Sequence, residues 1–210
     1  MVLHLKTCPF LPRKEFRMPI QMAAKITLAA KGETTTLDLS GVKSVKGTLR
    51  WTDPIDLDFY AICRTKATQK KGFLGGNKEV PAQDVVISFR NKGDLREIPY
   101  ISLDKDAGVG DKGGANEENL NLAPEAFAAC DHILIAANIY NKSNAVFGSY
   151  NGKVTIKTDR GEIEVPLTSK EPGNTCIIAH IDCSGPQIRV VNVNQTLRNL
   201  PTVGQFLQGR

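Results

Sequence analysis

Asp56-Leu57-Asp58-Phe59-Tyr60-Ala61-Ile62-Cys63-Arg64 (DLDFYAICR) carries the period of a β-strand with one face in a core. Successive side chains in a strand alternate faces, so Leu57, Phe59, Ala61 and Cys63 share the core side. Asp56, Asp58, Tyr60 and Ile62 share the other. Two carboxylates therefore stand roughly 7 Å apart at the mouth of one strand, close enough to converge on one ion or on two neighbouring ions. Pro54 accounts for Asp56 as the end of a turn; Asp58 has no such explanation.

Working outward, short strands recur with turn signals between them. HILIAANIY (132–140) is almost continuously apolar and reads as a strand buried on both faces. GKVTIKT (152–158) and EIEVPL (162–167) meet at Asp159-Arg160-Gly161, with Val154, Ile156, Ile163, Val165 and Leu167 facing in. TCIIAHID (175–182) and QIRVVNV (187–193) meet at Cys183-Ser184-Gly185-Pro186. Upstream, KITLAA (25–30) and TTTLDL (34–39) flank Lys31-Gly32, which predicts a hairpin. GTLRW (47–51), VVISFR (85–90) and EIPYISL (97–103) complete the set, and residues 124–130 predict one short helix with Pro124 in its first turn. The expectation is an all-β, two-sheet β-sandwich. It occupies residues 22–194, after an aperiodic, proline-containing leader or arm (1–21) and before a tail (195–210) with no clear period.

Composition excludes several classes. An apolar fraction of 41% and a charged fraction of 23% suit a soluble globular chain. A net charge of +5, spread without a Lys/Arg block, indicates no nucleic acid partner. The five cysteines form no CxxC pair, so neither a zinc site nor a disulfide framework is indicated, and the cytoplasm is the expected compartment. No Walker A sequence or GxGxxG opens a helix, and no small-molecule substrate is indicated. For nucleophilic chemistry the only local pair is His180 with Cys176 or Cys183. Strand alternation predicts His180 and Cys176 on one face, but roughly 13 Å apart. No base–nucleophile pair results, and the chain reads as non-enzymatic.

One loop does carry chemistry. ISLDKDAGVGDKGGANEENLNL (101–122) crowds Asp104, Asp106, Asp111, Glu117 and Glu118 together with Asn116 and four glycines; Glu125 follows, and Lys105 and Lys112 are the only bases. Like-charged carboxylates repel unless a cation sits between them, and oxygen donors at irregular spacing on a bendable backbone suit calcium. A helix-loop-helix calcium hand is excluded: with Asp104 first, the sixth position is Val109 instead of glycine and the twelfth is Ala115 instead of glutamate.

Taken together, these residues resemble the TerD family of tellurium-resistance and stress-response proteins. The resemblance rests on Asp56-Leu57-Asp58, on the loop Leu103-Asp104-Lys105-Asp106-Ala107-Gly108-Val109-Gly110-Asp111 with its acidic end Asn116-Glu117-Glu118, and on Phe147-Gly148 to Asn151. It covers roughly residues 22–194. Lys105, three extra residues within 112–115 and Asn116 depart from the family pattern and mark a divergent member. The resemblance implies a sandwich binding one or two Ca2+ ions at one end. Its implied ligands are Asp56, Asp58, Asp104, Asp111, Asn116, Glu117 and Glu118, with carbonyls from Gly108 and Gly110 and Asp106 as an extra ligand. It further implies a non-enzymatic interaction or scaffold component in tellurite resistance or general stress response. Its partners would be proteins, in a membrane-associated stress complex or a self-assembly. The alternative expectation is a structural or decoration component of a larger assembly that keeps the sandwich with weakened or lost calcium binding.

Overall fold

The computed structural model describes residues 24–71, 77–104, 116–139 and 145–209. In chain order the elements are β1 (Ala24–Thr27), β2 (Thr34–Leu37), β3 (Val45–Trp51), β4 (Leu57–Thr65), β5 (Thr68–Lys71), β6 (Asn77–Val80), β7 (Asp84–Ile87), β8 (Gly93–Asp94), β9 (Ile101–Leu103) and β10 (Asn116–Leu122). There follow α1 (Pro124–Ala129), β11 (Cys130–Ile139), β12 (Ala145–Val146), a 3-10 turn (Phe147–Ser149), β13 (Lys153–Lys157), β14 (Gly161–Pro166), β15 (Pro172–Gly173), β16 (Thr175–Asp182), β17 (Ile188–Leu197) and α2 (Val203–Gln208).

Two sheets face each other as a β-sandwich. The first runs β1-β14-β13-β3-β10-β9-β8 and the second β2-β17-β16-β11-β4-β7. Alternation within β4 builds the interface: Leu57, Phe59, Ala61 and Cys63 all lie in the main core. Leu49, Trp51, Leu120, Val154 and Ile156 meet them from the first sheet, and Ile133 and Ile135 flank them in the second. β11 is central, between β16 and β4, which explains its nearly unbroken apolar sequence. The hairpins β13–β14 and β16–β17 form as the alternation predicts.

A second cluster lies on the outer face of the second sheet. Tyr60, Ile62, Leu134, Ala136, Ile177 and Val193 are covered there by Val203 and Phe206 of α2. The tail thus holds a helix. Six residues are too few to display a period, but Thr202-x-x-Gln205 is a capping-box pattern. Both of its bonds are present: Gln205 N–H donates to Thr202 Oγ1 (3.1 Å) and Thr202 N–H to Gln205 Oε1 (2.9 Å). Val203 N–H donates to Asp84 Oδ2 at 2.9 Å, anchoring the helix start to β7. Thr202→Ala is expected to weaken α2 by about 1 kcal/mol, roughly a fivefold loss of exchange protection at Phe206 and Gly209, with Trp51 emission unchanged. Unaltered exchange would show that the cap contributes nothing.

Two local expectations are corrected. β1 and β2 do not form a hairpin: β1 runs parallel to β14 in the first sheet, and β2 pairs with β17 in the second. Between them Gly32, at φ +88°, donates its N–H to the Asn192 carbonyl, and Asn192 N–H donates to Glu33, so the turn crosses from sheet to sheet. The expected shared face of Cys176 and His180 is also overturned. The pairing register of β16 shifts between Ile177 and Ala179, a bulge that reverses the alternation. Cys176 and Cys183 both point into the main core, whereas His180 faces outward against Phe206.

Candidate metal centre

On one side β4 pairs with β11 along its length, but β7 covers it only from Ala61 to Arg64. The N–H of Phe59 finds its acceptor in the opposite sheet, where Glu118 Oε2 takes it at 2.8 Å. Glu118 is 1% exposed and belongs to β10. Residues 116, 118, 120 and 122 of β10 turn inward, as the burial of Asn116, Glu118, Leu120 and Leu122 requires. A carboxylate in the sandwich interior is costly unless paired or hydrogen-bonded, and the bond to Phe59 meets part of that requirement.

Asn116 lies on the same side, 5% exposed, in register with Trp51. The Trp51 indole donates to the Ile55 carbonyl at 2.7 Å, which holds the turn that delivers Asp56 to β4. The Asn116 side-chain nitrogen is buried and has no hydrogen-bond partner among the described residues. Asp58, 7% exposed, stands opposite Asn138 of β11 on the outer side of β4. It lines a groove of about 480 Å³ with Tyr60, Phe89, Arg90, Asn138 and Leu200. Asp58, Asn116 and Glu118 therefore flank the same end of β4, Asp58 outside the sheet and the other two inside, and Asp56 immediately precedes the strand with one carboxylate oxygen buried.

Other residues of the implied ligand set lie elsewhere. Glu117 faces away from Glu118, as consecutive strand residues must. Its carboxylate accepts from Arg50 Nε at 2.7 Å and lies 3.9 Å from Lys46, and the Arg50 hydrogen bond holds its pKa below the ordinary carboxylate value. Asp104 accepts from the backbone N–H (3.2 Å) and side-chain amide (2.8 Å) of Asn119. Asn119 in turn accepts from Thr48 Oγ1 at 2.8 Å, so Asp104 ends a chain of bonds on the first sheet. Asp106, Gly108, Gly110 and Asp111 lie outside the described residues. Among the described residues, no three His, Cys, Asp or Glu side chains are grouped so that they could hold a metal ion.

Cys176 and Cys183 are core thiols, both pushed up to about 12 by burial, which makes them poor nucleophiles. A cluster absent from the sequence reading lies on the outer face of the second sheet. His132 Nδ1 is 3.1 Å from His180 Nε2 and 3.6 Å from Asp182 Oδ1. Asp182 also accepts from Ser184 (2.6 Å) and Arg189 (2.6 Å). Burial opposes its charge, but those bonds prevail and hold its pKa well below the usual carboxylate range. His132 and His180 are 48 residues apart, and no sequence signal identifies β11 and β16 as neighbours.

No helix among the described residues is long and apolar enough to cross a membrane. No protein-family model matches the chain, and no curated protein does. Among solved structures the chain is similar to SAV2460, titled a protein of unknown function, at 15% identity and a TM-score of 0.47, covering 75% of this chain and 93% of that one. It is likewise similar to SCO6318 from Streptomyces coelicolor A3(2), titled a homologue of the telluride resistance protein TerD, at 15% identity and a TM-score of 0.47, covering 77% of this chain and 94% of that one.

Proposed function

We propose that this chain is a non-enzymatic, calcium-binding β-sandwich of the TerD type, acting as an interaction or scaffold component of a tellurite or general stress response. One observation carries the calcium reading: a nearly fully buried carboxylate, Glu118, shares the inner side of β10 with a buried Asn116 amide that has no hydrogen-bond partner among the described residues. Rotating that amide places its carbonyl oxygen where the nitrogen lies, and amide orientation is set by the partners available. Asp56 and Asp58 enter the ligand set through the Asp-Leu-Asp resemblance, since Asp58 stands on the outer side of β4 and Glu118 on the inner. A bound calcium ion supplies the positive charge that lets such carboxylates remain ionised together. Glu118 then serves twice, as acceptor for Phe59 N–H and as an anionic donor facing the ion. The ordered end of the sandwich is the surface offered to a protein partner, in the cytoplasm or at a membrane through that partner.

Calorimetric titration of calcium into the protein tests the assignment. Asp56→Asn combined with Asp58→Asn is expected to weaken binding by about tenfold or more, since ligand charge sets calcium affinity. Glu117→Gln is expected to leave it within about twofold, because that carboxylate is committed to Arg50 on the other face. Equal affinity in the wild type and the double variant would overturn the assignment. The engagement of Asp104 and Glu117 in protein–protein bonds favours a second reading, in which the sandwich is a structural unit of an assembly with weakened calcium binding. Gel filtration and electron microscopy distinguish a self-assembling particle from a monomeric sensor.

A further inference from the structure

We propose that His132 and His180 form an acid-sensitive latch that releases the C-terminal helix α2 from the outer face of the second sheet. The geometry leaves room for one proton between the rings. At 3.1 Å, His132 Nδ1 and His180 Nε2 hydrogen-bond only if one carries the proton and the other accepts it. A second proton would place two N–H groups head to head, so the fully protonated pair must part. His132 keeps some contact with solvent, but His180 is 4% exposed and lies beneath α2, its ring 5.6 Å from Phe206 in an edge-to-face arrangement. A doubly protonated pair therefore leaves a cation under an apolar lid, where hydration is denied and the cost of burial is large.

Asp182 stays beside the pair whether α2 is docked or released, so its charge does not decide between the two forms. Asp182 is the carboxylate nearest the pair, and Arg189 together with Ser184 already occupies it. Arg64, in register with His132 on β4, adds positive charge and is itself paired with Asp84 of β7 at 3.1 Å. α2 contributes Val203, Gly204, Gln205, Phe206, Leu207 and Gln208, none of them ionisable. The lid is also weakly held. It is a six-residue helix with two buried side chains, one capping box and one backbone bond to Asp84. Isolated helices of that length have no stability of their own, so losing its packing on His180 releases it. The sign follows from linkage: the released form binds one proton more than the docked form, so docking weakens as pH falls through the imidazole range, about tenfold per pH unit. Release uncovers Tyr60, Ile62, Leu134, Ala136, Ile177 and Val193.

Hydrogen exchange of the full chain at pH 7.5 and 5.5, corrected for the intrinsic pH dependence of exchange, tests the latch. Protection across 203–208 is expected to fall about tenfold or more at the lower pH, while emission of Trp51 in the main core stays constant. His180→Gln, which removes the imidazole beneath α2 and can still bond to His132, is expected to keep its protection at pH 5.5. His180→Asn serves the same purpose should the first variant fail to fold. Phe206→Ala is expected to lack protection at both pH values. Protection that is unchanged by acid, that falls in His180→Gln and His180→Asn as much as in the wild type, or that falls only together with a change in Trp51 emission, would overturn the proposal.

Discussion

Phe59→Ala is expected to destabilise the protein by about 3–5 kcal/mol, the usual cost of removing a buried aromatic ring and leaving a cavity. Phe59 is fully buried in the strand that faces β3 and β10 across the sandwich. Gly47 of β3 offers no side chain there: a Cβ at that position would lie 3.8 Å from the tip of the Phe59 ring and 3.7 Å from Leu120. The ring tip thus packs against the backbone of the opposite sheet, with room for ordinary contact only. Because the backbone N–H of residue 59 persists in the variant, its bond to Glu118 persists too. The loss should therefore be the same in calcium and in EDTA. Urea unfolding followed through Trp51 measures it, and a loss under about 1 kcal/mol would contradict the described packing of the two sheets.

Calcium is expected to raise the melting temperature by about 5–10 °C relative to EDTA. A ligand present at a hundredfold excess over its Kd, and bound only by the folded state, contributes about 2.7 kcal/mol, and each kcal/mol moves the midpoint of a domain this size by about 2–4 °C. Magnesium at the same concentration is expected to do much less, because it demands a near-octahedral shell and retains its water. Glu118→Gln is expected to abolish the calcium-dependent part while leaving the EDTA melt nearly unchanged, since the glutamine carbonyl can still accept from Phe59. That variant separates the two roles of Glu118. No shift at millimolar calcium would remove the ion from the proposed function and leave Glu118 as an inter-sheet tie. The structural reading would then take precedence, with Asp104 and Glu117 as surface bonding groups.

Much of the sandwich was legible before any coordinates, wherever local period and burial coincide. Val154, Ile156, Ile163 and Val165 alternate with charged or polar neighbours, and they are core residues of the hairpin β13–β14. β11 reads as apolar throughout because both of its faces are covered. The face of Asp58 followed from alternation alone. Legibility failed where one residue breaks a period or where a neighbour is distant in sequence. The register shift beside Ile178 turned His180 outward and kept Cys176 in the core, and no feature of TCIIAHID announces it. Lys31-Gly32 has turn chemistry, but turn chemistry does not say whether the following strand pairs with the preceding one or crosses to the other sheet.

The candidate site divides along the same line. Sequence by itself determined the inventory: clustered carboxylates near Asp-Leu-Asp, core thiols, and a chain of short strands, because composition and period are local properties. Tertiary structure decided which members of that inventory share a space. Asn116-Glu117-Glu118 reads as one acidic group, but β10 begins at Asn116, so pleating sends Glu117 outward to Arg50 and Glu118 inward to Phe59. His132 and His180 meet only because β11 pairs with β16, a juxtaposition produced by burying apolar faces across the whole chain and invisible in either strand alone.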